Sequence, residues 1–178
     1  MRPIHWWKGR PRTRWLLVLL LTPAAGIGLA SASSLPVGAV LSDPPYSKYA
    51  VDPAFSGKPA QVDFRGNAAA YRFRTVIREG AREGPNFADH YTLVTWGCGA
   101  GCQSHAIIDA RTGAVHMLSI TTSYGVSVRR DSRLLIADPA ERCLDPESAG
   151  STNSIWYVWT GQKLQKVGSR RIVAPCDD

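Results

Sequence analysis

Residues 90–118, HYTLVTWGCGAGCQSHAIIDARTGAVHML, decide how this chain is read. From His90 to Trp96 the side chains alternate, with Tyr91, Leu93 and Thr95 on one side and Thr92, Val94 and Trp96 on the other. Successive side chains of a strand point to opposite faces, so a period of two is the mark of β structure. Ser104–Asp109 and Ala114–Leu118 read as two further strands around the loop Ala110–Gly113. Asp109 ahead of that loop can bond turn amides. Gly113 at its end can take the left-handed conformation that a tight hairpin needs.

The same pattern continues towards the C-terminus. Tyr124–Arg129 and Arg133–Ala137 flank a turn at Arg130-Asp131-Ser132, and Ile155–Thr160 and Lys163–Val167 flank Gly161-Gln162. Arg171–Ala174 adds a last short strand. Trp156 and Trp159 lie three apart and therefore on opposite faces, one expected in the core and the other as a surface anchor. On the N-terminal side, Asn67–Arg82 (NAAAYRFRTVIREGAR) has the spacing of an amphipathic helix, with Ala69, Phe73, Val76 and Ile77 on its buried face and Asn67 as N-cap. Arg74, Arg78 and Arg82 line another face, read either as solvated and partly paired with Glu79 and Glu83 or as an anion-binding stripe. The expected fold is mainly β (α+β): one helix, then an antiparallel meander of six or seven strands forming a curved sheet or open barrel.

Further out, the chain opens with five basic residues and no acidic ones, followed by an apolar run from Trp15 to about Ala30 that ends in Ala30-Ser31-Ala32. A charged region, a short apolar region and a small-residue end are the parts of a secretory signal peptide. The run is shorter than the ~20 apolar residues of a bilayer span. Residues 1–32 are therefore expected to be removed on export, with only transient contact with the membrane. Their removal takes the formal charge from +7 to +2, which withdraws the nucleic-acid reading that a pI near 9.5 invites. The protein is expected in the periplasm or secreted. Residues 33–60 carry Pro36, Pro44, Pro45, Pro53 and Pro59 and read as an extended leader, and 61–178 as a single disulfide-stabilised domain.

The four cysteines, Cys98, Cys102, Cys143 and Cys176, read as disulfides in an exported chain. The favoured pairing is Cys98–Cys102 with Cys143–Cys176, because two glycines in CGAGC let so short a loop close; crossed pairings are the alternative. Chain entropy assigns ~2 kcal/mol to the shorter loop and ~4 kcal/mol to the longer. Trp96, Gly97, Gly99 and Gly101, with His90 and His105, form a candidate binding loop, since accessible glycine amides can make an anion nest. Cys98, Cys102 and His105 also have a C-x3-C-x2-H spacing, so a zinc site or a cysteine nucleophile with His90 or His105 is a second reading. No G-x-S-x-G, H-E-x-x-H or Walker-type motif occurs. No catalytic set, resident metal or cofactor is expected.

The run EGPNFADHYTLVTWGCGAGC within 83–115 resembles a group of small exported bacterial proteins without an assigned activity, and the likeness extends to DSRLLIADP and WYVWTGQKL. It implies the meander layout and makes WGCGAGC a shared feature. A looser likeness, in size and β architecture, is to periplasmic lysozyme inhibitors and immunity proteins. The function expected is a non-enzymatic binding or inhibitory module directed at an envelope protein, such as an envelope-directed hydrolase, or at a cell-wall component. An enzyme or metal-binding protein using His90, Cys98, Cys102 and His105 is one alternative. A purely structural envelope protein is the other.

Overall fold

The structure is a computed structural model that describes residues 43–142 and 151–173. The expected signal peptide, the first part of the leader, and Cys143 and Cys176 lie outside the described residues.

Among the described residues the period-two segments form seven strands: β1 (Tyr91–Gly99), β2 (Cys102–Asp109), β3 (Val115–Thr122), β4 (Val126–Val128), β5 (Leu134–Ala137), β6 (Ser151–Trp159) and β7 (Leu164–Val173). Each pairs antiparallel with its sequence neighbour, except across the junction between β3 and β4. There the chain divides into two sheets, β1-β2-β3 and β4-β5-β6-β7. One curved sheet or an open barrel was expected; the structure has two sheets and no closed barrel. The junction shows why. The Asp138 carboxylate accepts hydrogen bonds from the amides of Ser123 (2.8 Å) and Tyr124 (2.6 Å), and Gly125 takes a φ of 88°. The backbone after β3 is thus tied to the end of β5 and leaves the first sheet.

This division buries both faces of the first sheet. Leu93 and Ile107 pack with Phe87 and Ala88 against Leu135, Ala137 and Trp159 of the second sheet. On the other face Val94, Ala106, Ile108 and Val115 meet Ala70 and Ile77 of the helical segment. The alternation along β1 therefore sorts side chains between two apolar layers. Each fully buried Leu, Ile or Val contributes about 1.5–3 kcal/mol of transfer free energy.

The helical segment departs from the single expected helix. It consists of α1 (Ala68–Arg72) and α2 (Arg74–Arg82), separated at Phe73, whose φ and ψ are −106° and 18°. Ala70 and Ile77 are buried, whereas Ala69 is exposed and Phe73 is 39% exposed, its ring stacked 4.9 Å from that of Trp96. Asn67 is the N-cap, accepting from the Ala70 amide at 3.0 Å, and its Nδ2 donates to the Val115 carbonyl. One side chain thus starts the helix and anchors it to β3. Gly80 lets α2 approach β1: a Cβ there would sit 2.5 Å from a methyl of Val94.

Residues 43–60 belong to the same compact unit as the strands. Asp43 accepts from the Trp156 indole (2.9 Å) and the Ser154 hydroxyl (3.2 Å), and the Tyr46 hydroxyl donates to Ser127 (2.7 Å). Ala50 pairs with Ser132, and the Ala60 amide donates to the Ala110 carbonyl. The expected extended leader is interrupted by one 3-10 turn at Tyr46–Tyr49, directly after Pro44-Pro45, and polar stitches at intervals fasten the segment as a strap. Trp156, expected as a surface anchor if Trp159 were core, is half-buried and holds this strap; Trp159 is core. Among the described residues no helix is long and apolar enough to cross a membrane.

Candidate functional site

The β1–β2 hairpin carries chemistry at both ends. At its tip, Gly97 pairs with Gln103 and Gly99 with Cys102, with a register shift between them. Cys98 and Cys102 are joined by a disulfide with their Cα atoms 5.1 Å apart. Gly99 (φ 141°) and Gly101 (φ 61°) occupy backbone conformations that L side chains rarely adopt, which is how five residues close so small a ring. Residues 97–101 are all exposed. Beside them lies an open cleft of about 410 Å³, where Thr95, Gln103 and Ser123 supply hydroxyl and amide groups next to Trp96 and the glycines. Trp96 is half-buried and packed on Phe73, so it forms a wall of the cleft and not a free aromatic face.

Beyond the tip turn, three residues into β2 from Cys102 and paired with Thr95 at the mid-point of the ladder, His105 is fully buried. Its Nδ1 lies 2.9 Å from the Thr95 hydroxyl and its Nε2 3.0 Å from that of Thr122. A neutral imidazole has one donor and one acceptor nitrogen, and a hydroxyl can serve either. Burial pushes its pKa from 6.5 down to about 4.

At the base, His90 sits among charges. Its Nδ1 is 3.0 Å from Asp89 Oδ2 and its Nε2 is 3.7 Å from Asp109 Oδ1. Arg111 donates to Asp89 Oδ2 at 2.8 Å, and the Phe55 amide of the strap donates to Asp89 Oδ1 at 2.7 Å. Burial raises the Asp89 carboxyl, but the bond from Phe55, the His90 ring and the Arg111 charge together outweigh it. The net shift is downward. Ala88 and Asp89 both have positive φ, 41° and 71°, which is strained for residues with a Cβ.

Of the six residues expected to share one loop, the structure gathers Trp96, Gly97, Gly99 and Gly101 around the cleft. It does not bring the histidines there. His90 and Cys98 are eight residues apart along an extended strand, roughly 27 Å, and both ring nitrogens of His105 are engaged by threonines. The sulfurs of Cys98 and Cys102 are consumed in the bond, so neither is a thiolate for a metal or a substrate. The set His90, Cys98, Cys102 and His105 is therefore not assembled into one site. Asp89 and Arg111, and the cleft residues Thr95, Gln103 and Ser123, were not singled out from sequence, and Asp109 was read only as a turn residue, a role it fills by accepting from the Arg111 amide at 2.7 Å. Asp89 meets Asp109 and Arg111 only through the pairing of Tyr91 with Asp109, which depends on the hairpin register.

Comparison with models of known protein families, with curated proteins and with solved structures finds no match to this chain.

Proposed function

We propose that this chain is an exported, non-enzymatic binding module of the cell envelope, and that its recognition surface is the clasped β1–β2 tip with the adjoining cleft. The observation that carries this reading is the juxtaposition of an exposed, covalently closed glycine loop with a cleft edged by Thr95, Gln103 and Ser123. A loop already held in one shape loses little conformational entropy on binding, so more of its contact energy appears as affinity. Glycine amides without side chains over them can donate to acidic or carbonyl oxygens of a partner. The disulfide fits an oxidising compartment, which supports the export expected from the N-terminal sequence. The partner in this reading is an envelope protein, such as a hydrolase directed at the envelope, or a cell-wall component.

The test uses immobilised protein exposed to periplasmic extract and, separately, to purified peptidoglycan fragments. Wild type is compared with Gln103→Ala/Ser123→Ala and with Cys98→Ala/Cys102→Ala. The expected result is one retained partner whose affinity falls about tenfold or more in the cleft variant, the loss of one or two interface hydrogen bonds. Equal retention by all three proteins, or no retained partner, would overturn the proposal.

A further inference from the structure

A groove of about 600 Å³ runs between α2 and residues 58–62, on the helical side of the first sheet, with Lys58, Arg78 and Arg82 around it. Both walls are fixed by the fold. The strap wall is bonded through the Ala60 amide to Ala110 and the Asp63 amide to Gly113, each at 2.8 Å. Gly113 (φ 80°) packs directly under the Gln61 carbonyl, where no side chain would fit. The helical wall is set by the close approach of Gly80 to Val94. The groove is therefore present before any ligand arrives.

Its charges are arranged selectively. Arg74, Arg78 and Arg82 recur at every fourth position and share one side of the helix. Arg74 nevertheless turns to Tyr71, with its guanidinium 4.8 Å from the ring centroid and 3.4 Å from the Tyr71 carbonyl. Arg78 is steadied 5.0 Å from the Phe64 ring centroid. Elsewhere Arg65, Arg111 and Arg129 each hold an aspartate within 2.8 Å. Among the described residues no ion pair forms at Lys58, Arg78 or Arg82, and Glu79 and Glu83 do not close on them. Three cations without an ion pair thus border one preformed groove, and an anion entering it would meet positive charge on both walls.

We infer that this groove binds a phosphate-bearing ligand. A phosphomonoester carries about −1.5 to −2 charges and three strong acceptor oxygens, enough to engage both guanidinium groups and the ammonium. A single carboxylate would leave most of the positive charge uncompensated. Guanidinium forks match phosphate oxygens two at a time. The site is separate from the clasped tip and does not rest on the function proposed for it. Free phosphate and the phosphomonoester headgroup of phosphatidic acid present the same chemistry.

The experiment has two arms on the purified protein at low salt: calorimetric titration with inorganic phosphate, and sedimentation with phosphatidic acid–phosphatidylcholine vesicles against phosphatidylcholine alone. Arg78→Gln and Arg82→Gln are each expected to weaken binding about fivefold or more and Lys58→Gln about threefold, the loss of one charge-assisted contact. Arg74→Gln removes the same charge from the same helix face and is expected to change affinity by less than about twofold, because Arg74 is turned aside. Saturable phosphate binding with this order supports the site, with the free ion sufficient as ligand. Vesicle binding with the same order but no phosphate binding supports it with the lipid headgroup as ligand. No binding in either arm, or an Arg74→Gln loss equal to that of Arg82→Gln, overturns it.

Discussion

The two ends of the β1–β2 hairpin are locked by different chemistry. At the tip, glycines leave few side chains to pack, and a covalent bond between Cys98 and Cys102 closes the loop in full exposure. At the base, noncovalent bonds converge on one carboxylate. Asp89 ties the strap through Phe55, the ladder through His90 and the next turn through Arg111. Its backbone is held as firmly, with its amide 2.7 Å from the Arg130 carbonyl and its own carbonyl accepting from Arg130 Nε at 3.1 Å. Those bonds offset the left-handed conformation of Ala88 and Asp89. The contrast teaches that one end is sensitive to reduction and local in its effect, while the other is sensitive to charge and global.

The largest test of that contrast is Asp89→Ala. It strands the half-buried Phe55 amide and the Arg111 guanidinium and places alanine at a positive φ, so a loss of about 2 kcal/mol is expected in urea unfolding. Asp89→Asn keeps an acceptor and tolerates the left-handed region, and should lose about half as much. If both variants unfold at the wild-type midpoint, the base is not a lock and the comparison fails.

Opening the tip has an effect of similar size. Cys98→Ala/Cys102→Ala is expected to cost about 2 kcal/mol by the entropy of a five-residue loop. Its amide exchange should quicken at 97–103 while the amides of residues 88–91 keep their protection. Quickening at both ends would show that the two locks are coupled.

Acid separates the middle of the hairpin from its base by pH. The neutral, buried His105 contributes fully above about pH 6.5, and that contribution is lost as pH falls from 6.5 towards its folded value of about 4. Asp89 is depressed, so its contribution is present above the ordinary carboxylate value and lost only below it, as pH falls through the folded pKa. Unfolding midpoints measured from pH 7 to pH 3 should therefore decline in two stages. His105→Gln should flatten the first stage and leave the second. His116, whose pKa is lowered by burial and partly restored by Asp109, keeps a smaller part of the first slope. The smallest expected effect is Asp131→Asn. Its pair with Arg129 is 2.6 Å long but roughly half exposed, so the unfolding midpoint should stay within error. A clear shift there would mean that surface pairs also carry the lock.

Much of the fold was legible because a strand exposes its period in sequence. Tyr91–Thr95 alternates, and Gly113 and Gly161 mark turns that the structure places at φ 80° and 93°. Asn67 announced its helix start. The helix interior was misread, since Phe73 fits the apolar spacing but leaves the helical path and stacks on Trp96 outside the main core. Periodicity reports which residues are apolar, not where a helix bends. The short disulfide was legible from its two glycines. The cleft beside it was not, because Ser123 reaches it from beyond β3, through the pairing of Gln103 with Thr122.

The sequence by itself determined the local choices: antiparallel strands, tight turns, one capped helix start and a cysteine loop that only glycines could close. These follow from side-chain period and from φ values allowed to each residue. Tertiary structure alone decided that the strands divide into two sheets, that the extended leader becomes a strap, and that Asp89, His90, Asp109 and Arg111 share one knot. It alone turned Arg74 aside and left Arg78, Arg82 and Lys58 facing one groove. Such juxtapositions depend on register and layer packing, which bring together residues far apart in the chain and are set by the energy of the whole core.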